Sequence, residues 1–291
     1  MKGKQKAAKR LANELIMVSL VMVGLLLVWN ASQQIVNFDE RQRELAEHSV
    51  RAAASEVELF VRGYQRAVDI FAEENRFFLS TLELWPQDIE GYSLLQEKIS
   101  RYFPEHLAFT LADSNGATLL EGFEEKVGKS CRQDIRSFSA NKGEYGVCQH
   151  QAPTGEYRHF DIMSYWQGSE SDHAIFFISF RMDRMEAILE NTQVQGHQLM
   201  LVREGQPGHV EVTAASNRKF LPVDGELDEV TLRRVSSSLP VPGTQWNLII
   251  LPNNTLYSQA HRSILVQTML MFIGFLMVSF VMRMILLDGE D

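Results

Sequence analysis

The sequence predicts an α+β fold: a long N-terminal helix, then short antiparallel strands with helices between them, all flanked by two apolar segments. Three observations lead there. Apolar residues between 32 and 84 recur at helical spacing. From His106 onward the period shortens to two. Each end of the 291-residue chain carries an apolar run without a charged side chain.

The terminal runs are Leu15 to Trp29 (LIMVSLVMVGLLLVW) and Ile264 to Met282 (ILVQTMLMFIGFLMVSFVM). A helix crossing a bilayer core needs about 20 mostly apolar residues. The second run meets that length, and the first reaches it with Leu11, Ala12 and Ala31 and some tilt. Cleavage as a signal peptide competes for the first run. However, Trp29-Asn30-Ala31 sets a bulky indole where a small residue is wanted, which favours an uncleaved anchor. Lys2, Lys4, Lys6, Lys9 and Arg10 precede the first span against Glu14 alone. Positive flanks stay cytoplasmic. The expected layout is a cytoplasmic tail (1–14), a first span (15–31), an exported body, a second span (263–283) and a second cytoplasmic tail (284–291).

The whole chain has 28 basic and 37 acidic residues, a net charge of −9. Setting aside the first 14 residues and the tail from Arg283 leaves 22 against 33, so the exported part is acidic. A body without a basic stripe argues against nucleic acid as a partner.

From Ser32 to Leu84 the chain has no Pro and one Gly, and good helix formers dominate. Val57, Val61, Tyr64, Val68, Phe71, Phe78 and Leu82 form a seam with steps of four and three, interrupted by Asn75. Such a seam serves a helix packed on its own domain, a homodimer helix, or both. A kink or break is expected in a helix this long. Pro86 closes it, and a second helix follows from Ile89 to Tyr102. These helices make up residues 32–105.

A first αβ unit, 106–195, opens with a strand at His106–Leu111, a turn at Asp113-Ser114-Asn115-Gly116 and a returning strand at Ala117–Glu121. Strands at Tyr157–Tyr165 and Ala174–Phe180 follow, separated by a polar loop from Gln167 to Asp172, and then a helix at Met182–Asn191. A second, smaller unit, 196–262, has strands at Gln198–Arg203 and Val210–Ala214, a short helix near Leu227–Val235, and strands at Ser236–Val241 and Gln245–Leu251.

Cys131 and Cys148 are the only cysteines. Export to an oxidising compartment favours a structural disulfide between them. Two free thiols and a metal site are the alternatives. Cys148 and His150 form a C-x-H with His159 and His173 further on, but no C-x-x-C accompanies them and the spacing matches no standard zinc frame. The expectation is a disulfide, no metal and no cofactor. No Gly-rich phosphate loop, G-x-S-x-G, H-E-x-x-H or Walker motif occurs, so no catalytic residue is assigned and the chain is not expected to be an enzyme.

The candidate ligand-binding residues lie on one strand: Tyr157, Arg158, His159, Asp161, Tyr165 and Trp166. Alternation puts Tyr157, His159, Asp161, Met163 and Tyr165 on one face and Arg158, Phe160, Ile162 and Ser164 on the other. A concave face would let Asp161 pair with a ligand amine while the phenols stack. On a solvent-facing edge strand, His159 and Asp161 would merely be wet. Arg158 could grip a carboxylate or form a surface ion pair. Trp166 fits a core better than a platform.

The long post-membrane helix, the FTLADSNGATLLE hairpin, the strings GEYRHFDIMSYW and HAIFFISF, and Pro242-Gly243-Thr244-Gln245-Trp246 ahead of LIIL resemble the double Cache, PAS-like sensor regions of bacterial transmembrane receptors. The strings GEYRHFDIMSYW and HAIFFISF look like those of sensor regions found ahead of diguanylate cyclase modules. The resemblance spans about residues 32–262. It implies a body in the periplasm anchored to the inner membrane. It also implies a small-molecule ligand in a membrane-distal unit, a membrane-proximal relay, and a cytoplasmic or membrane signalling partner such as a diguanylate cyclase. No GGDEF, EAL-type or kinase motif lies in the residues after Met282, so that output is expected in a partner or beyond Asp291. An envelope scaffold using the same fold to bind another protein is the alternative.

Overall fold

A computed structural model of the chain describes residues 2–120, 127–153, 155, 157–167, 173–216 and 225–288. It divides into two compact units, Ala46–Leu251 and the pair of segments Met1–Leu45 and Pro252–Asp291.

Helix α1 runs from Lys2 to Glu74 and breaks at Asn75. The Asn75 side chain donates Nδ2 to the Phe71 carbonyl at 2.8 Å and accepts from Lys98 Nζ at 3.2 Å. An Asn that bonds its local backbone competes with helix propagation, so the one polar slot of the seam is where the helix stops. Helix α2 (Arg76–Leu84) follows, then α3 (Ile89–Tyr102), whose first turn is capped by Asp88 accepting from Gly91 N at 3.0 Å.

Strand β1 (His106–Ala112), helix α4 (Lys129–Ala140), and strands β2 (Gln149–Gln151), β3 (Arg158–Trp166) and β4 (Ala174–Arg181) come next, then α5 (Asp183–Thr192). They form an antiparallel sheet in the order β1-β4-β3-β2. A second four-stranded sheet, in the order β6-β5-β8-β7, is built from β5 (His197–Arg203), β6 (Gln206–Thr213), β7 (Ser237–Val241) and β8 (Trp246–Pro252). A one-turn helix α6 (Glu229–Leu232) precedes β7. Helix α7 (Asn254–Asp288) follows β8 directly in the chain.

One sequence reading differs from this fold and another lies outside the described residues. The returning strand at Ala117–Glu121 is, among the described residues, a single bridge from Thr118 to Ala112, and Glu121 lies outside them. The Asp113 side chain closes the turn by accepting from Asn115 N and Ala117 N. β1 finds its ladder with β4 instead. Gly116 (φ 76°) seats the turn on α4, where a Cβ would lie 2.8 Å from Arg136 Cα. The polar loop expected at Gln167–Asp172 falls outside the described residues beyond Gln167. Helix α4 and strand β2 are additions.

Both faces of the first sheet are covered. Phe160, Ile162, Trp166, Phe176, Ile178 and Phe180 join Val57, Val61, Val68 and Phe71 of α1 in the main core, which continues into Leu201, Leu248 and Ile250 of the second sheet. The helical seam is thus occupied within the chain itself. On the opposite face, Met163, Ile175 and Phe177 pack against Cys131, Ile135 and Phe138 of α4.

In the other unit, α1 and α7 each contain a window of mean hydropathy 2.3, with 0% and 6% of it buried. Leu15, Val18, Leu25, Met269, Leu270 and Phe280 are all more than half exposed. A helix apolar on all sides and uncovered by protein is suited to lipid. The two helices meet at Gly24, where a Cβ would touch the Phe272 ring at 3.4 Å. Asp39 and His261 pair at 2.8 Å, with Phe38 edge-on to Tyr257.

Candidate functional site

β3 carries the site because it is an inner strand. His159 and Asp161, which an edge strand would leave in water, are both 0% exposed. Register sets His150 of β2 opposite His159, and Ser179 of β4 opposite Asp161. Helix α4 brings Cys131 and Asp134 over the same face, and the segment entering β2 brings Tyr145 and Cys148.

Six side chains gather there in two linked triads. In the first, one ligand atom each from Cys131, His159 and Asp161 lies within 4.8 Å of the others. The same holds for Asp134, Cys148 and His150 in the second. Cys131 Sγ is 3.3 Å from His159 Nε2, and Cys148 Sγ is 3.4 Å from His150 Nε2. His150 Nε2 is 2.8 Å from Asp134 Oδ2 and 3.7 Å from Asp161 Oδ2, which joins the triads. Tyr145 Oη lies over the second triad, 3.4 Å from Asp134 Oδ2 and 3.5 Å from Cys148 Sγ. Ser179 Oγ donates to Asp161 Oδ1 at 2.7 Å.

The electrostatics follow from burial and neighbours. Burial opposes a charge on His150, but the Asp134 carboxylate, Cys148 and Asp161 outweigh it and hold its pKa at about 11. Burial and the neighbouring His150 cation push His159 down to about 4, so its ring is neutral. Burial raises Asp161 to about 6, only partly offset by His150 and by donors from Cys131 and Ser179. Burial, reinforced by Asp161, drives the Cys131 thiol well up.

The expected disulfide is not formed: Cys131 and Cys148 are both free and buried. Each sulfur faces a histidine nitrogen instead of the other sulfur. Unfolded in denaturant without reductant, the chain should therefore give two reactive thiols per molecule in a chromogenic thiol assay. A count of zero would restore the disulfide.

The sequence candidates divide between the two faces. Tyr157 lies beside the cluster, its ring 6.3 Å from that of His159. Tyr165 is on the same face further along β3, packed on Phe138 at 4.7 Å and donating to the Phe138 carbonyl at 3.1 Å. Trp166 is 2% exposed in the main core. Arg158 points to the other face and donates to the Glu211 carbonyl at 3.0 Å. Asp134, Tyr145 and Glu211 were not anticipated. His150 was visible as part of the C-x-H, but its placement needs the β2–β3 register.

Glu211 ties this site to the second sheet. It is 1% exposed and accepts from Gln149 N at 2.9 Å, between the two cluster residues Cys148 and His150. It also accepts from Trp246 Nε1 and pairs with Arg203. Next to it, Val147 N donates to the Gly243 carbonyl at 3.2 Å and Gln245 N to the Val147 carbonyl at 2.8 Å. β2 is thereby fastened to the start of β8.

The fold of the body matches solved sensor and ligand-binding domains. The sensor domain of the histidine kinase DctB of Vibrio cholerae aligns over 74% of this chain and 98% of that domain, at 13% identity and a TM-score of 0.52. The chain shares the fold of that domain. The ligand-binding domain of the amino acid chemoreceptor PctB of Pseudomonas aeruginosa PAO1, solved with L-Arg, aligns over 76% and 92%, at 13% identity and a TM-score of 0.50. One neighbour is the sensor domain of a histidine kinase and the other the ligand-binding domain of a chemoreceptor, and the likeness is one of fold. No protein-family model and no curated protein sequence matches the chain.

Proposed function

We propose that this chain is a membrane-anchored periplasmic sensor. A small polar ligand binds at the first sheet and changes the packing of the second, without catalysis by this chain. In this reading residues 106–195 are the membrane-distal binding unit and 196–262 the membrane-proximal relay. The apolar parts of α1 and α7 cross the inner membrane, with both tails in the cytoplasm. The output lies in a cytoplasmic or membrane partner of the diguanylate cyclase kind. A homodimer through α1 would have to use a face other than the Val57–Phe71 seam, which the chain's own core occupies.

One observation carries the reading. The buried polar cluster on β2 and β3 is fastened through Val147, Gln149 and Glu211 to β8, and β8 continues within two residues into the apolar helix α7. A ligand at the cluster shifts an equilibrium only by its differential affinity for two arrangements. A strand bonded to both ends of the path is the element that could hold two such arrangements. The PctB neighbour, solved with an amino acid, supports a small polar ligand in this fold.

The test is thermal unfolding of the full chain in detergent micelles against a panel of amino acids, amines, dicarboxylates and transition-metal ions. A true ligand at 100 times its Kd adds about 2.7 kcal/mol of stability. At least one compound should raise the midpoint, and Asp161→Asn should abolish the rise. A panel without a hit would favour the scaffold.

A further inference from the structure

We propose that the cluster is a binding site for a thiophilic transition-metal ion of the zinc class. Cys131, His159 and Asp161 are the inner ligands, and Asp134, Cys148 and His150 adjoin them. The inference rests on the sensing reading only for the ion's role as signal; the site itself stands on geometry.

The distances fit. Bonds of about 2.3 Å to sulfur and about 2.0–2.1 Å to nitrogen and oxygen set tetrahedral ligand–ligand edges of about 3.3–3.6 Å. The Cys131–His159 and Cys148–His150 separations of 3.3 and 3.4 Å are at that spacing. His159 Nε2 to Asp161 Oδ1 at 3.8 Å and His150 Nε2 to Asp161 Oδ2 at 3.7 Å are slightly wider. A small contraction closes them.

The hydrogen bonding also points to a ligand. Most buried polar side-chain atoms have a hydrogen-bond partner, and an exception calls for an explanation. Here Asp161 Oδ2 is buried without a hydrogen-bond partner among the described residues, although Asp161 is 0% exposed. Asp161 Oδ2 is the oxygen that faces His150 between the triads. Buried cysteine usually behaves as a small apolar residue. Two such residues aimed at imidazole nitrogens, with carboxylates beside them, form a donor set instead.

The donor set fixes the class of ion. Thiolate and imidazole select zinc and its soft or borderline neighbours, whereas magnesium and calcium prefer oxygen alone. The ligands come from α4, β2, β3 and the segment before β2, so no linear spacing groups them. No standard zinc frame gathers them that way.

The site also lies on the proposed relay. Cys148 and His150 flank Gln149, whose N–H is held by Glu211. Pulling the second triad toward the first would move the peptide that fastens β2 to β8.

The test uses the full chain in detergent micelles, purified reduced and freed of metal, with zinc as the probe. After gel filtration against a competing chromophoric chelator, the wild type should retain at least one zinc per chain. Cys131→Ser and His159→Gln should each weaken retention at least about 100-fold, the upper end of what outer-shell changes cost. Calcium should not compete. Cobalt should give a thiolate charge-transfer absorption that disappears in Cys131→Ser. Should a variant fail to fold, the wild type still decides: zinc, but not calcium, should slow alkylation of Cys131 and Cys148. No retained zinc in the folded wild type would overturn the inference. So would retention unchanged in a folded Cys131→Ser/Cys148→Ser variant. Zinc bound at these residues without any change in amide exchange along β8 would uphold the site and remove its sensing role. Failure to bind zinc alongside a hit from the organic panel would do the reverse.

Discussion

Replacing Phe71 by alanine should destabilise the folded body by about 3–5 kcal/mol, the range for a fully buried aromatic truncated to a methyl group. Phe71 is 0% exposed, and its ring meets Tyr102 at 5.4 Å, Phe103 at 5.5 Å and Phe176 at 5.3 Å. It joins α1 to the end of α3 and to β4, so no single neighbour can collapse into the space. For a body of about 200 residues, each kcal/mol moves the unfolding midpoint by about 2–4 °C. Phe77, six residues on and 77% exposed, provides the control: Phe77→Ala should change stability by less than about 0.5 kcal/mol. Thermal unfolding of both variants in micelles measures the difference. Equal effects would mean that the seam of α1 is not part of the core.

Replacing Glu211 by alanine should cost about 3 kcal/mol. The carboxylate is buried and holds three donors at once, from Gln149, Trp246 and Arg203. Its removal strands the Trp246 indole N–H and the Gln149 N–H, each worth about 1–3 kcal/mol when buried without a partner. It also leaves the Arg203 guanidinium without its counter-ion. Arg203 is 34% exposed, so water recovers part of that loss. Glu211→Gln keeps the volume and one acceptor and should cost about half as much. Urea unfolding of the two variants gives the comparison. Beyond stability, the alanine variant should uncouple β8 from β2. Its β8 amides should exchange faster while those of β3 and β4 keep their protection.

The sequence carried the architecture because the fold obeys simple periods. The α1 seam, α3, the alternating faces of β3, and the end of β8 at Pro252 all appear where local spacing puts them. Asn75 was legible as a flaw in the seam, and it proves to be the break. Helix α4 was legible too, in the i, i+4, i+7 spacing of Cys131, Ile135 and Phe138. Strand β2, at three residues, is too short to show any period. The site depended on that strand. Its register alone sets His150 against His159, and no one-dimensional spacing reports a contact made across a ladder. The faces of β3 were assigned from alternation, but which of them is enclosed depended on α4. Glu211 had no signal at all: an acidic residue in an alternating strand reads as solvent-facing until Arg203, Trp246 and Gln149 surround it.

A periplasmic sensing role depends most on where the body lies relative to the membrane. The direct measurement is labelling of single introduced cysteines in spheroplasts with a membrane-impermeant maleimide, against the unsubstituted chain as background, whose Cys131 and Cys148 are buried. Glu204→Cys, at an exposed turn between β5 and β6, should label in intact spheroplasts. Lys4→Cys and Glu290→Cys should label only after the membrane is permeabilised. Labelling of either tail in intact spheroplasts, or protection of Glu204→Cys until permeabilisation, would contradict a periplasmic sensor anchored by two spans.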